Sequence, residues 1–206
     1  RVALVRCDVG ARELPYAAAS ELALALGGLP GARGVSPESA AALVSMAPAL
    51  STYFTVPNDN SADREALRRR SQALVEMASA VCEEQALVVL IDDVHWMDAS
   101  SRTVLGQLAS RVRGMRMLIV TAGRPVVEGR LDDPDARVVE LPVLTELQCS
   151  ELVGSVATLA QVAWGGRFVQ ELWRSTGGSP LHVIETLQLL RERELLVVTD
   201  GEWHSP

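Results

Sequence analysis

Residues 87–98, LVVLIDDVHWMD, decide the fold of this 206-residue chain. They continue an apolar run that starts at Ala86 and is too short for a helix of its own. Such a run is typical of a strand buried on both faces, as in a parallel sheet. It ends in two adjacent carboxylates, Asp92 and Asp93. The segment therefore predicts a buried parallel strand that carries two acids at its carboxyl end.

Strand-like and helix-like patterns alternate on both sides of this segment. Short apolar runs predict further strands at residues 2–7, 117–120 and 138–141. Apolar spacing and cap residues predict helices that open near Pro15, Ser36, Ala62, Asp98, Thr145, Arg167 and Pro180, the one from Thr145 reaching about Ala163. Strands that alternate with helices of this length predict an α/β fold, a parallel sheet with crossover helices. The last residues, from Leu195 onward, predict a hairpin.

The paired acids suggest a chemistry. In open α/β sheets, ligands bind beyond the carboxyl ends of the strands. One carboxylate there can reach a phosphate-bound Mg²⁺ ion directly or through water, and the next can orient a water for attack on the terminal phosphate. From the residues alone, two solvated acids that simply end a strand stay open as the alternative.

Composition and charge exclude several classes of protein. Asp and Glu number 26 against 19 basic residues, a formal net charge of -7, and every basic residue is arginine. A net acid without a basic stripe argues against nucleic-acid contact by this segment. No apolar run approaches the roughly 20 residues of a membrane span, and no signal peptide is visible, so we expect a cytoplasmic protein without membrane contact. Three scattered cysteines without a CxxC pair argue against disulfides and zinc.

The 87–98 segment resembles the Walker B motif of P-loop ATPases, in the form with His95, Trp96 and Asp98 that STAND ATPases carry. More narrowly, nearly the whole chain is similar to the ATPase module of the large ATP-binding LuxR-type transcriptional regulators. Four further stretches carry the resemblance in the family's order: RCDVGARELPY (6–16), TAGRP (121–125), LPVLTELQCSELV (141–153) and TGGSPLHVIETLQLL (176–190).

The resemblance implies a role for each matching residue. Asp92 would hold magnesium, and Asp93 would stand at the catalytic-base position. Arg124 would sense the terminal phosphate, and Pro180 would pack near the adenine. ATP or ADP with Mg²⁺ would be the cofactor of the intact protein. Residues 1–144 would form a nucleotide-binding core of P-loop NTPase type, 145–194 a helical lid, and 195–206 the start of a winged-helix hairpin.

The chain departs from the family at the phosphate-binding loop. That loop has the pattern GxxxxGK[ST], and these residues contain no lysine. We therefore interpret the chain as a fragment, and its phosphate-binding loop would lie before Asp8. The fragment would lack a central neighbour in the sheet and would be inactive alone. That it has no cofactor of its own stays an open possibility. Two functions remain: a nucleotide switch module of a signalling or transcription-regulating ATPase, with self-association or contact to further domains, and a degenerate scaffold for protein contacts.

Overall fold

Three parallel strands form the sheet of the first part of the chain. The computed structural model describes residues 1–55, 63–124, 131, 136–158 and 164–204, without the side chains of 63 and 64. Strands β1 (Val2–Arg6), β2 (Leu87–Asp92) and β3 (Met117–Thr121) lie in the order β1-β2-β3. The register pairs Val5 with Ile91 and Ile91 with Thr121. All three carboxyl ends therefore lie at one edge of the sheet, called the carboxyl edge below, and the predicted parallel sheet is confirmed.

Helices separate these strands along the chain. α1 (Ala17–Gly27), α2 (Pro37–Met46) and α3 (Asp63–Glu84) lie between β1 and β2, and α4 (Ala99–Ala109) lies between β2 and β3. Two predicted caps are confirmed, because the side chains of Ser36 and Asp98 accept hydrogen bonds from the first turns of α2 and α4. The alternation of strands and helices is the α/β pattern that the sequence predicts.

One face of the sheet carries the core of this first unit, residues 1–136. Val5, Val89 and Ile91 are buried in one cluster with side chains of α1, α3 and α4. The other face leaves Leu4 62% and Leu118 56% exposed, and Leu90, which pairs with Leu4, is half-buried. The expectation that β2 is buried on both faces is therefore wrong for alternate residues, because α1, α3 and α4 of this unit pack on the opposite face of the sheet.

Residues 137–206 form a second unit with a core of its own. Helices α5 (Glu146–Val156), α6 (Gly165–Thr176) and α7 (Pro180–Glu192) precede an antiparallel hairpin of β4 (Val197–Thr199) and β5 (Glu202–His204). Trp203 is 1% exposed, and its indole Nε1 donates to the Val153 carbonyl at 3.1 Å. Thr145 and Gln148 form the predicted capping box at the start of α5.

Two predicted elements are wrong. Residues 138–141 form no strand, because a strand needs a hydrogen-bonded neighbour and the described residues supply none to this run; Val139 is 68% exposed. Helix α5 ends at Val156 instead of near Ala163. The backbone turns extended at Ala157, and Thr158 exchanges hydrogen bonds with Gly201 and Trp203 of the hairpin. Residues 159–163 lie outside the described residues.

No helix in the described part of the chain has both the length and the apolar composition needed to cross a membrane.

The boundaries of the predicted core, lid and winged-helix segments stay a prediction.

Candidate functional site at the carboxyl edge

The end of β2 is held between its two neighbours. The backbone N–H of Cys7 donates to the Asp92 carbonyl at 3.0 Å, and the N–H of Ala122 donates to the Ile91 carbonyl at 2.9 Å. Asp92 therefore lies at the middle of the carboxyl edge, where the open end of a parallel sheet accepts ligands. The apolar run before it and the ladder on both sides fix its position.

Asp93 turns the chain sharply after the strand. Its φ is 53° and its ψ is 39°, in the left-handed region that Asp adopts more readily than most residues. Its N–H donates to Oδ1 of Asp92 at 2.9 Å, so one Asp92 oxygen is engaged within the turn. Both carboxylates are half-buried. We call residues 92–96 the acidic turn, since a short 3-10 turn, Val94–Trp96, completes it.

The stretch after β1 packs on the acidic turn. Nε of Arg6 lies 3.6 Å from Oδ2 of Asp93, in an ion pair whose arginine is largely exposed. The guanidinium of Arg12 lies 5.9 Å from the centre of the Trp96 ring, within cation–π distance. The structure thus brings together two stretches, 6–16 and 87–98, that are separate motifs in the sequence. Sequence reasoning missed the Arg6 contact, although the predicted parallel pairing was the signal that could have found it.

Arg124 follows β3 and lies against the same turn. Val94 N–H donates to the Ala122 carbonyl at 3.0 Å, and the Arg124 N–H donates to Nδ1 of His95 at 3.4 Å. Arg124 is exposed, and its guanidinium makes no hydrogen bond or ion pair with any described residue. The backbone of Arg124 therefore contacts the acidic turn, which also carries the two acids.

Asp98 anchors the first turns of two helices at this edge. Its Oδ1 accepts from Ser101 N–H at 2.8 Å and from Tyr16 N–H at 2.9 Å. Ser101 Oγ in turn accepts from Ala19 N–H at 2.9 Å. Asp98 is thus a buried structural carboxylate that ties α1 to α4. The sequence predicts the cap on α4, whereas the bond to Tyr16 spans 82 positions and carries no local signal.

Cys7, which follows β1 at the carboxyl edge, is a buried thiol. Burial, and then the charges of Glu21, Asp98, Asp93 and Asp8, raise the pKa of the Cys7 thiol to about 11. The described residues contain no group of three or more His, Cys, Asp or Glu side chains that could enclose a metal ion. Oxygen ligands nevertheless suit Mg²⁺, which proteins commonly hold by one or two carboxylates together with phosphate oxygens and water. The Asp92 carboxylate fits that ion when a phosphate ligand completes the coordination.

Pro180 belongs to the second unit, at the first position of α7. The TGGSPL stretch that contains it has a clear structural reason: Gly178 has a φ of 74° and lies so close to Leu144 that a Cβ would be 2.4 Å from its carbonyl oxygen. The Leu144 N–H donates to the Gly178 carbonyl at 2.8 Å. Pro180 starts the helix after this contact, and its role toward adenine stays a prediction.

Comparison with known protein families identifies a domain within the first unit. The profile of the AAA ATPase domain matches residues 1–120, more than half of the chain. An uncharacterized protein of Rhizobium meliloti (strain 1021) is 39% identical over 64 residues, which are 31% of this chain and 6% of that protein. The chain thus spans a small part of that relative's length. No solved structure matches the chain significantly.

Proposed function

The chain belongs to the AAA ATPase domain family, and from this premise we propose that it is the nucleotide-dependent switch module of a STAND-type ATPase with a signalling or transcription-regulating role. The family match supports nucleotide binding, with Mg²⁺, in general terms. The finer assignment rests on the acidic turn and on the ordered LuxR-type motifs. The observation that carries it is the position of Asp92 and Asp93 at the carboxyl edge, beside the backbone of Arg124.

In this proposal each residue at the carboxyl edge has one task. Asp92 holds a phosphate-bound Mg²⁺ ion through the oxygen that the Asp93 N–H does not engage. Asp93 orients the attacking water, and its ion pair with the Arg6 guanidinium helps to hold the carboxylate in place. Arg124 offers its exposed guanidinium to the terminal phosphate. Pro180 contributes to the adenine end, and the second unit acts as the lid. Because the task is switching, turnover is slow.

The phosphate-binding loop must come from outside these residues. They contain no lysine, so none of them supplies the cation of GxxxxGK[ST]. We propose that such a loop in the same gene product completes the site, and that the 206 residues without it bind Mg-ATP more weakly than micromolar. Isothermal titration calorimetry of the 206-residue chain checks this expectation, and a micromolar dissociation constant contradicts it.

A replacement of the magnesium carboxylate tests the function. In the full-length gene product that carries these residues, we expect Asp92→Asn to weaken Mg-ATP binding about tenfold or more, since a charged ligand to the ion is lost. ATP binding in EDTA should stay unchanged. Asp200→Asn, in the exposed hairpin turn, is the matched control. Equal Mg-ATP affinity in the Asp92 variant and the wild type would exclude the proposed role.

The second candidate is a degenerate scaffold for protein contacts. The absence of lysine favours it, as does the exposed apolar face of the sheet with Leu4 and Leu118. A GxxxxGK[ST] loop in the full-length gene product, together with Mg-dependent ATP binding, supports the switch. If the gene product has no such loop and binds no ATP, the scaffold is supported. In both cases we propose that this acidic segment contacts no nucleic acid itself and acts in the cytoplasm.

A further inference from the structure

We propose that His95 is a positioning residue, which holds the backbone of Arg124 against the acidic turn and so makes the two ends of the site move together. The proposal rests on the proposed function, because it assigns Arg124 to the phosphate. Its own claim is narrower: the imidazole acts through the Arg124 backbone.

The first step is the order of contacts between the ends of β2 and β3. Backbone hydrogen bonds join Ala122 to Ile91 at 2.9 Å and Val94 to Ala122 at 3.0 Å. Two residues farther, at Arg124, the partner is the His95 side chain, whose Nδ1 accepts from the Arg124 N–H at 3.4 Å. The imidazole thus extends the contact between the two chain segments beyond the point where their backbone bonds end.

The second step is the close approach of the two segments. Gly123 runs over the acidic turn so tightly that a Cβ there would lie 2.8 Å from Cγ2 of Val94 and 3.4 Å from Nδ1 of His95. A side chain at this position would press on the Val94 methyl group, so the close approach favours glycine. The approach brings the Arg124 amide within reach of the imidazole, and it leaves little freedom for either segment to move alone.

The third step is the tautomer of the neutral ring. An imidazole whose Nδ1 accepts a hydrogen bond carries its hydrogen on Nε2 when neutral. Nε2 of His95 is buried and has no partner among the described residues. A buried donor without an acceptor is unfavourable. An apolar ring would avoid that cost and could keep the contact to Trp96, whose ring centre lies 4.9 Å away. The imidazole therefore contributes, beyond packing, its acceptor for Arg124.

The consequence follows from chain connectivity. His95 lies two positions after Asp93 and three after Asp92, within the single acidic turn. Any shift of that turn when a cation binds to Asp92 is passed to the Arg124 backbone through Nδ1. Coupling of this type needs a shared element that both groups bias, and here the turn and its imidazole are that element.

Two variants separate the acceptor from the ring. His95→Phe keeps a planar ring near Trp96 and removes the acceptor, whereas His95→Asn places an amide oxygen near the position of Nδ1. In the full-length gene product without nucleotide, we expect hydrogen exchange of the Arg124 amide to be about three- to tenfold faster in His95→Phe. It should be close to wild type in His95→Asn. Equal exchange in all three proteins overturns the proposal.

A mutant cycle supplies the second measurement. If His95 acts through Arg124, His95→Phe and Arg124→Ala weaken Mg-ATP binding by similar factors, and the double variant is no weaker than Arg124→Ala within about twofold. Multiplicative losses in the double variant overturn the proposal. If the wild-type gene product binds no nucleotide, the proposed function fails, and the exchange of the Arg124 amide still decides whether His95 holds that backbone.

Discussion

Asp93 has a positive φ of 53° where the chain leaves β2. In that region the Cβ of an L-residue approaches the following carbonyl, which costs about 1–2 kcal/mol, and Asp or Asn offsets part of the cost by local hydrogen bonding. The sharp turn keeps Asp93 next to Asp92 and aims the following residues at Ala122. The backbone conformation of Asp93 therefore affects stability, and its carboxylate is assigned to the proposed chemistry, so variants can separate the two effects.

An alanine variant is usually more stable than a glycine variant, and we expect the reverse at Asp93. Asp93→Gly relieves the strain, so it should be about 1 kcal/mol more stable than Asp93→Ala. Asp93→Asn should fold like the wild type, which makes it the variant for separating stability from ATP hydrolysis. Urea unfolding followed by circular dichroism measures the differences. A more stable Asp93→Ala would show that the left-handed conformation is absent in solution.

At the scale of elements, the start of α2 depends on a carboxylate from α3. Glu76 accepts hydrogen bonds from the Ser36 N–H at 2.6 Å, from the Ser36 hydroxyl and from the Ser39 hydroxyl. Burial raises the pKa of Glu76, but the hydrogen bonds from Ser39 and Ser36 outweigh it, and the net pKa is lowered. A negative charge at a helix N-terminus also interacts favourably with the positive end of the helix dipole. Glu76 thus joins α3 to the start of α2, where Ser36 is the cap.

Glu76→Gln should lower the free energy of unfolding at pH 7 by about 1 kcal/mol, since charged hydrogen bonds are replaced by weaker ones at a partly exposed site. Because the folded pKa is lowered, the contribution of Glu76 is present above its unfolded pKa and disappears as the pH falls through the folded value. The difference between variant and wild type should therefore shrink in acid. Denaturant unfolding between pH 3 and 7 measures it, with exposed Glu84→Gln as the control.

On the scale of the whole molecule, each of the two units has its own buried core. Trp203 is the largest fully buried side chain of the second core, and it combines ring burial with the hydrogen bond to Val153. The hairpin that carries it also receives Thr158, just after α5. The end of the described chain is thus built into the second unit rather than added to it.

Trp203→Ala should destabilise the second unit by about 3–5 kcal/mol through the cavity that it leaves. Amide hydrogen exchange should then rise in α5 and α7, while β1, β2 and β3 keep their protection and serve as the control within the same sample. Equal loss of protection in the sheet would mean that the two units unfold as one cooperative body.

Much of the fold could be predicted because its signals are local. The caps at Ser36, Asp98 and Thr145 depend on atoms within three residues, and the strand of residues 87–92 depends on one apolar run. The shorter run at 138–141, which contains Glu140, also predicts a strand, yet it forms none. Apolar composition marks a segment that favours strand geometry, whereas a strand also requires a neighbour, and the run itself does not encode one.

By itself, the sequence determined the α/β class, the helix starts and the two acids at the end of a strand, because burial periodicity and capping act over a few residues. Only the tertiary structure decided which face of the sheet is covered, that Arg6 meets Asp93, that Asp98 holds Tyr16, and that His95 reaches the Arg124 amide. These contacts join positions 29 to 87 residues apart. They arise from strand register and close backbone approach, which are properties of the packed chain and not of any short stretch in it.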